Sequence, residues 1–355
     1  MDISQDKAIK TFSPRKVFIA IAIGLSITGY LLYQNIQDRG LDSLTNALSN
    51  PNWSWFLGAI LILLVRDAAY IYRIKNLTHG ELSLKGSVFT IFLWEFASAV
   101  TPSVVGGTTV AVFILAKEGI KFGKALAYVM LTAVLDNAFF LLAAPIALLS
   151  TNSDIFTIIG KRTIFGYHLP VEQIFYVSYS LIATYTLVMA YSLLINPRSF
   201  KWLLLKITKN RFLRKWRLTA LSQSSEMVLA STQLKGASKT YWMKAIVSTI
   251  LVWSARYLML NFLITAFADG ISFIAQIDIF SKQIILWVVQ LVSPTPGAAG
   301  IAEKFFDLFF KGSNYGSDDL WVPLAFLWRI FTYYAYLIAG VIIFPRWLKR
   351  VSEKT

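Results

Sequence analysis

Along this chain, long apolar runs alternate with short polar stretches. Runs of the roughly 20 residues needed to cross a bilayer predict spans near 17–34, 53–72, 124–149, 171–195, 242–267 and 321–344. Two further apolar stretches, 87–116 and 281–310, are each broken in the middle. The first break reads Thr101-Pro102-Ser103-Val104-Val105-Gly106-Gly107-Thr108, and the second Ser293-Pro294-Thr295-Pro296-Gly297-Ala298-Ala299-Gly300. Each half-segment, 11 to 16 residues long, reaches about 16 to 24 Å as a helix, short of a hydrocarbon core of about 30 Å. The pattern predicts an all-α polytopic membrane protein of six spans plus two re-entrant helical hairpins, forming a single domain over 1–355.

Composition supports the membrane reading, with 56% hydrophobic residues and a mean hydropathy of +0.58. The net charge of +15 would suit a nucleic-acid binder, but its distribution argues otherwise. With the N-terminus inside, the cytoplasmic segments 1–16, 73–86, 117–124, 196–244 and 346–355 hold 25 of the 34 Lys and Arg. The expected outer loops hold Arg39, Lys161, Arg162 and Lys311 among seven acidic residues. This is the positive-inside asymmetry, so topology explains the charge, both termini are expected in the cytoplasm, and no nucleic-acid partner is implied. Trp53, Trp55 and Trp321 fall at outer span ends and Trp242 and Trp347 at inner ones, where amphipathic rings favour the interface. The basic stretch 196–244, with Phe200, Trp202, Leu203, Phe212 and Trp216, suggests interfacial helices that anchor on anionic lipid. Val17 to Tyr33 follows Arg15 and Lys16 as in a signal peptide, but no small-residue cleavage pattern follows it closely, so it reads as a retained first span.

Three crossings separate the broken segments, so the first hairpin enters from the cytoplasm and the second from outside. The elements then fall into two units of opposite orientation, 17–149 and 171–344, an inverted repeat whose paired, interrupted segments point to a transport site. Intramembrane charges recur in matching places: Arg66 precedes Pro102 by 36 residues and Asp136 follows it by 34, while Arg256 precedes Pro296 by 40 and Arg329 follows it by 33. A charge at depth is costly unless it is paired or lines a polar cavity. Arg66, near the cytoplasmic end and beside Asp67, has the alternative of snorkelling to the interface.

A helix broken at depth leaves backbone groups that must be buried or hydrated. The returning half-helices would aim their N-termini, rich in free N–H groups, at the midplane, where they attract anions. Together with Arg66, Arg256 and Arg329 this makes a phosphate seat, with Thr101, Pro102, Gly106, Gly107, Thr295, Pro296, Gly297 and Gly300 as its backbone walls and Asp136 and Glu303 as its carboxylates. Glu303 also suits a helix start, an ion pair with Arg256 or Arg329, or the receipt of a cation or coupling proton. Glu95 and Asp136 are weaker candidates for that last role, and Glu118 reads as a solvated charge in a basic turn. With no cysteine, and with His79 and His168 in predicted loops, no metal or cofactor is expected. Neither a phosphate-binding P-loop nor a catalytic acid and base pair stands out, so no enzymatic activity is expected.

The run Ser293 to Glu303 resembles the P-x-P-G-G-x-G-x-x-E signature of the flippase-like membrane region of lysylphosphatidylglycerol synthases, and Thr101 to Gly107 resembles that family's earlier T-P-G-G-x-G-G element. The resemblance extends over nearly the whole chain, with Ser103 and Ala298 standing where the pattern has glycine and no soluble synthase domain present. It implies a bacterial inner-membrane protein that moves anionic or aminoacylated phospholipid, or a lipid-linked head group, between leaflets. Two other classes remain open: a non-transporting scaffold of a cell-envelope or lipid-modifying complex, docking through 196–244, and a channel, for which no filter is evident.

Overall fold

The computed structural model describes residues 48–101, 104–151, 170–209, 217–268, 270–291, 301–313 and 318–353, with scattered positions elsewhere that include Gly297 and Ala298. The expected span 17–34 lies largely outside the described residues. The described chain is almost entirely helical, apart from a two-residue pairing of Thr163–Ile164 with Tyr167–His168 in an expected loop.

In chain order the helices are α1 (Trp53–Leu77), α2 (Leu84–Val100), α3 (Val104–Lys117), α4 (Phe122–Ser150), α5 (Val171–Ala190, continued by a π-turn Tyr191–Ile195), α6 (Pro197–Ile207), α7 (Arg217–Lys235), α8 (Lys239–Phe267), α9 (Phe273–Gln290), α10 (Ile301–Phe310), α11 (Trp321–Arg329) and α12 (Ala335–Ser352), the last two joined by a π-turn, Ile330–Tyr334. Side-chain caps define several starts: Asn52, Ser83, Ser238 and Ser272 each accept a backbone N–H from the first turn of α1, α2, α8 and α9.

Among the described residues, six helices are long and apolar enough to cross a membrane: Trp53–Leu77, Phe122–Ser150, Val171–Ile195, Lys239–Phe267, Phe273–Gln290 and Trp321–Ser352. Five coincide with expected spans. The sixth, α9, begins at Phe273, eight residues before the half-length arm expected from 281. Gln276, Asp278 and Lys282 dilute its hydropathy, yet Ser272 caps it and the i,i+4 pair Lys282–Asp278, at 2.9 Å, fits its register. Its 18 residues reach about 27 Å at about 1.5 Å per residue. In the same way α2 runs to 17 residues, whereas α3 and α10, at 14 and 10, stay short.

α1 shows how the molecule is turned inside out relative to a water-soluble bundle. Leu57, Leu61 and Leu64 point outward, each about 60% exposed, while Ala59, Arg66, Tyr70 and Arg73 face inward and are buried. Leucine toward lipid and charge toward the interior is the arrangement a bilayer selects.

The most extensive helix pairing is α1 with α8. Asn52 N–H donates to Ala266 O at 2.7 Å at one end, and Tyr241 Oη donates to Leu77 O at 3.0 Å at the other, so the two run antiparallel over their whole length. α12 lies antiparallel along α2, closely enough at Gly340 that an added Cβ would sit 2.1 Å from the Phe96 ring. Inside the first broken segment α2 and α3 touch at Gly107, where an added Cβ would lie 2.1 Å from Ser98 Oγ. Small residues at such crossings let helix backbones approach, the main source of association energy in lipid.

Several expectations are corrected. Arg73 belongs to the buried face of α1, not to a cytoplasmic loop. The Glu118 side chain is enclosed rather than solvated: it accepts from Trp347 Nε1 at 2.8 Å and pairs with Arg350. Trp321 and Trp347, toward the two ends of the last span, are fully buried within the protein. In the basic connection, α7 docks on α4 through buried Met227, Ala230 and Leu234. Trp202 on α6 is exposed, with Lys206 Nζ 4.7 Å from its ring centroid, while Phe212 and Trp216 lie outside the described residues.

Candidate functional site

The inward charges of α1 organise the site. Arg66, Tyr70 and Arg73 are spaced i, i+4, i+7, one face of a helix, and both guanidinium groups lie against the Tyr70 ring, at 4.7 and 4.8 Å. Arg66 donates to Asp67 Oδ1 at 2.8 Å and to Tyr336 Oη at 2.6 Å, and pairs with Glu95 on α2. Tyr336, on α12, also donates to Asp67. Arg66 is therefore sealed into the interior, 1% exposed, and does not snorkel.

Arg73 grips Asp136 of α4 with both terminal nitrogens and reaches Thr249 on α8 at 3.2 Å. Asp136 also accepts Trp253 Nε1 at 2.7 Å. Arg256, one turn beyond Trp253, lies over its ring at 5.4 Å and faces Glu95 at 3.8 Å. The contacts close into a circuit: Arg66, Glu95, Arg256, Trp253, Asp136, Arg73, Tyr70 and back to Arg66. It draws side chains from α1, α2, α4 and α8 and is tied to α12 through Tyr336. Phe140, Trp287 and Tyr257 pack behind Trp253, Phe140 stacking on Trp287 at 3.5 Å. Arg66 Nε and the Tyr257 hydroxyl are buried there without a hydrogen-bond partner.

The second group lies at the other break. Arg329 donates through Nε to Glu303 at 3.0 Å and through Nη2 to Gly297 O at 3.0 Å, with its guanidinium 4.0 Å from the Tyr333 ring centroid. Tyr333 Oη donates in turn to Ala99 O, at the end of α2, at 3.3 Å. Gly297 has φ +55°, and a Cβ added to it would sit 2.3 Å from the Tyr333 ring and 3.3 Å from Ala99 O. The two broken segments thus meet around Tyr333. Arg329, Tyr333 and Tyr336 follow one another along the last span through the π-turn Ile330–Tyr334, and Tyr336, bonded to Arg66, ties this stretch to the circuit. Such single π-turns recur at functional sites.

Of the residues expected from the sequence, the fold brings Arg66, Asp136 and Arg256 into the circuit and Gly297, Glu303 and Arg329 to the break. Glu303, in the first turn of α10 and 4% exposed, is the counter-ion of Arg329. Thr101 Oγ1 donates to Ala97 O within its own helix at 2.7 Å, Gly106 is in the first turn of α3, and Gly107 is the α2–α3 contact. Pro102, Thr295, Pro296 and Gly300 lie outside the described residues. Sequence reasoning missed Arg73, Tyr70, Trp253 and Tyr336; the i, i+4, i+7 spacing from Arg66 through Tyr70 to Arg73 was the available signal. Among the described residues no group of three or more His, Cys, Asp and Glu side chains is placed to hold a metal ion.

Comparison with known proteins agrees with this architecture. A "UPF0104 membrane protein" of Archaeoglobus fulgidus is 24% identical over 306 residues, covering 84% of this chain and 88% of that protein. The family described as "Lysylphosphatidylglycerol synthase TM region" matches residues 17–340, both breaks and every member of the circuit included, and the chain belongs to that family.

Proposed function

We propose that this protein is a flippase-like transporter that moves an anionic or aminoacylated phospholipid, or a lipid-linked head group, between leaflets of the cytoplasmic membrane, and that it is not an enzyme. The observation that carries this reading is the meeting of two broken helical segments around Tyr333 beside a buried arginine-rich circuit. Family membership and the charge pattern of the loops support it. In this reading the two breaks are the tips of hairpins entering from opposite faces, the units 17–149 and 171–344 form an inverted repeat, and both termini face the cytoplasm. The antiparallel run of α1 against α8, the helices that precede the two breaks, fits two units of opposite orientation.

The head group then sits at Arg256, whose side chain is 28% exposed against 2 to 7% for Arg66, Arg73 and Arg329. Rocking of one unit against the other would open the site to each leaflet in turn. The test is translocation in reconstituted liposomes over a broad panel of labelled lipids: movement of at least one class above protein-free vesicles is expected, and none, with folded protein verified, overturns the proposal.

A further inference from the structure

We infer that transport is coupled to protons, and that Glu95 takes up a proton whenever an anionic head group occupies Arg256. The inference rests on the transport reading above and on a count of charges in the circuit.

Two of the buried pairs are closed one to one: Arg73 with Asp136 and Arg329 with Glu303. The remaining four charges are unevenly held. Arg66 meets two carboxylates, Asp67 at 2.8 Å and Glu95. Asp67 is further secured by the Tyr336 hydroxyl at 2.7 and 2.9 Å. Glu95 is therefore the surplus carboxylate, and the charge that balances it is Arg256, at 3.8 Å. Both are reachable, their side chains 19% and 28% exposed.

An anionic group that pairs with Arg256 removes that balance. Arg66, Asp67 and Glu95 then carry one net negative charge in low-dielectric surroundings, a costly state that a carboxylate escapes by binding a proton. The groups around Glu95 leave it as the acceptor. From α1 come Arg66, Asp67, Tyr70 and Arg73, with Asp67 held by Arg66 and Tyr336 and Arg73 held by Asp136 of α4; from α8 comes Arg256, and from α12 Tyr336. The step is one H⁺ passing from water to a Glu95 carboxylate oxygen, with no other bond made or broken. Departure of the head group returns Arg256 to Glu95 and expels the proton, so one proton accompanies each anion. Glu303, sealed against Arg329, takes no part.

The test uses the full chain in phosphatidylcholine vesicles with a tail-labelled fluorescent phosphatidylglycerol, scored by quencher accessibility with and without an imposed pH gradient. Translocation away from the acid side should rise severalfold in the wild type, lose its gradient response in Glu95→Gln and keep it in Glu95→Asp. Gradient-insensitive translocation by the wild type, or a preserved response in Glu95→Gln, overturns the inference while leaving the transport reading standing. No translocation of any lipid of the broad panel, with or without the gradient, overturns both. Should Glu95→Gln fail to fold, a pH dye in weakly buffered detergent reads the wild type directly. Addition of short-chain phosphatidylglycerol should then remove protons from solution, and absence of uptake overturns the inference.

Discussion

At the scale of residues, the intramembrane charges are stable because each has a partner and costly once it loses one. Arg73 and Asp136 are bonded through both terminal guanidinium nitrogens, with Thr249 and Trp253 filling further positions. Removing one member leaves the other charged, buried and alone, so Arg73→Ala or Asp136→Ala should each destabilise by about 3–5 kcal/mol, and the double change to matched apolar residues by much less. Thermal unfolding in detergent of the two singles and the double checks both parts. Ala298 offers the opposite sign. It has φ +53°, a left-handed conformation unfavourable to a residue with a Cβ, at a place where the family signature has glycine. Ala298→Gly should therefore raise stability, by at most about 1–2 kcal/mol. An unchanged or lower melting temperature would contradict it.

At the scale of elements, register and close approach are what hold the helices. α1 and α8 run antiparallel, so an added Cβ at Gly58 would fall 2.6 Å from the Phe262 ring. The chain has no cysteine, which makes cross-linking clean: Gly58→Cys with Phe262→Cys should be joined by an oxidant or a short bifunctional reagent, whereas Gly58→Cys with Met243→Cys, near the far end of α8, should not. The reverse result on a gel would require a parallel pair. Where α12 crosses α2 there is no room for even a methyl group, so Gly340→Ala should cost about 1–3 kcal/mol through displacement of Phe96, read as a lowered melting temperature. The broken segments were legible in the sequence because Pro and clustered small residues interrupt an apolar run. The true length of α9 was not, because Gln276 and Gln283 lower its hydropathy while hydrogen-bonding Asn261 on α8, at 2.8 and 2.9 Å. Polar residues satisfied against a neighbouring helix are indistinguishable, in one dimension, from the end of a span.

At the scale of the whole molecule, orientation is the property that charge distribution governs. If Lys and Arg resist translocation, the α7–α8 turn is cytoplasmic and the turn after α10 is outside. A membrane-impermeant thiol reagent should then label Lys311→Cys in intact cells and Lys235→Cys only after the membrane is opened; the opposite pattern would invert the topology and with it the faces from which the hairpins enter. The antiparallel α1–α8 pair carries Arg66, Arg73 and Arg256, so a movement of the two proposed units against one another would pass through the circuit. On the proposed mechanism, the transport step and its proton would share the same few side chains.

The sequence by itself determined the membrane class, five of the six apolar helices long enough to cross among the described residues, the two breaks, and the presence of buried charge. These follow from local composition and from a period of 3.6 residues, which need no knowledge of neighbours. Only the tertiary structure decided which charges balance which. Arg66 chose Asp67, Glu95 and Tyr336, Glu303 was claimed by Arg329, and Arg73 moved from loop to core, because ion pairing in a low-dielectric interior depends on distances between helices far apart in the chain. Of the three arginines expected to form a phosphate seat, Arg256 is the one whose side chain the structure leaves most open, because Arg66 and Arg329 are enclosed by their partners.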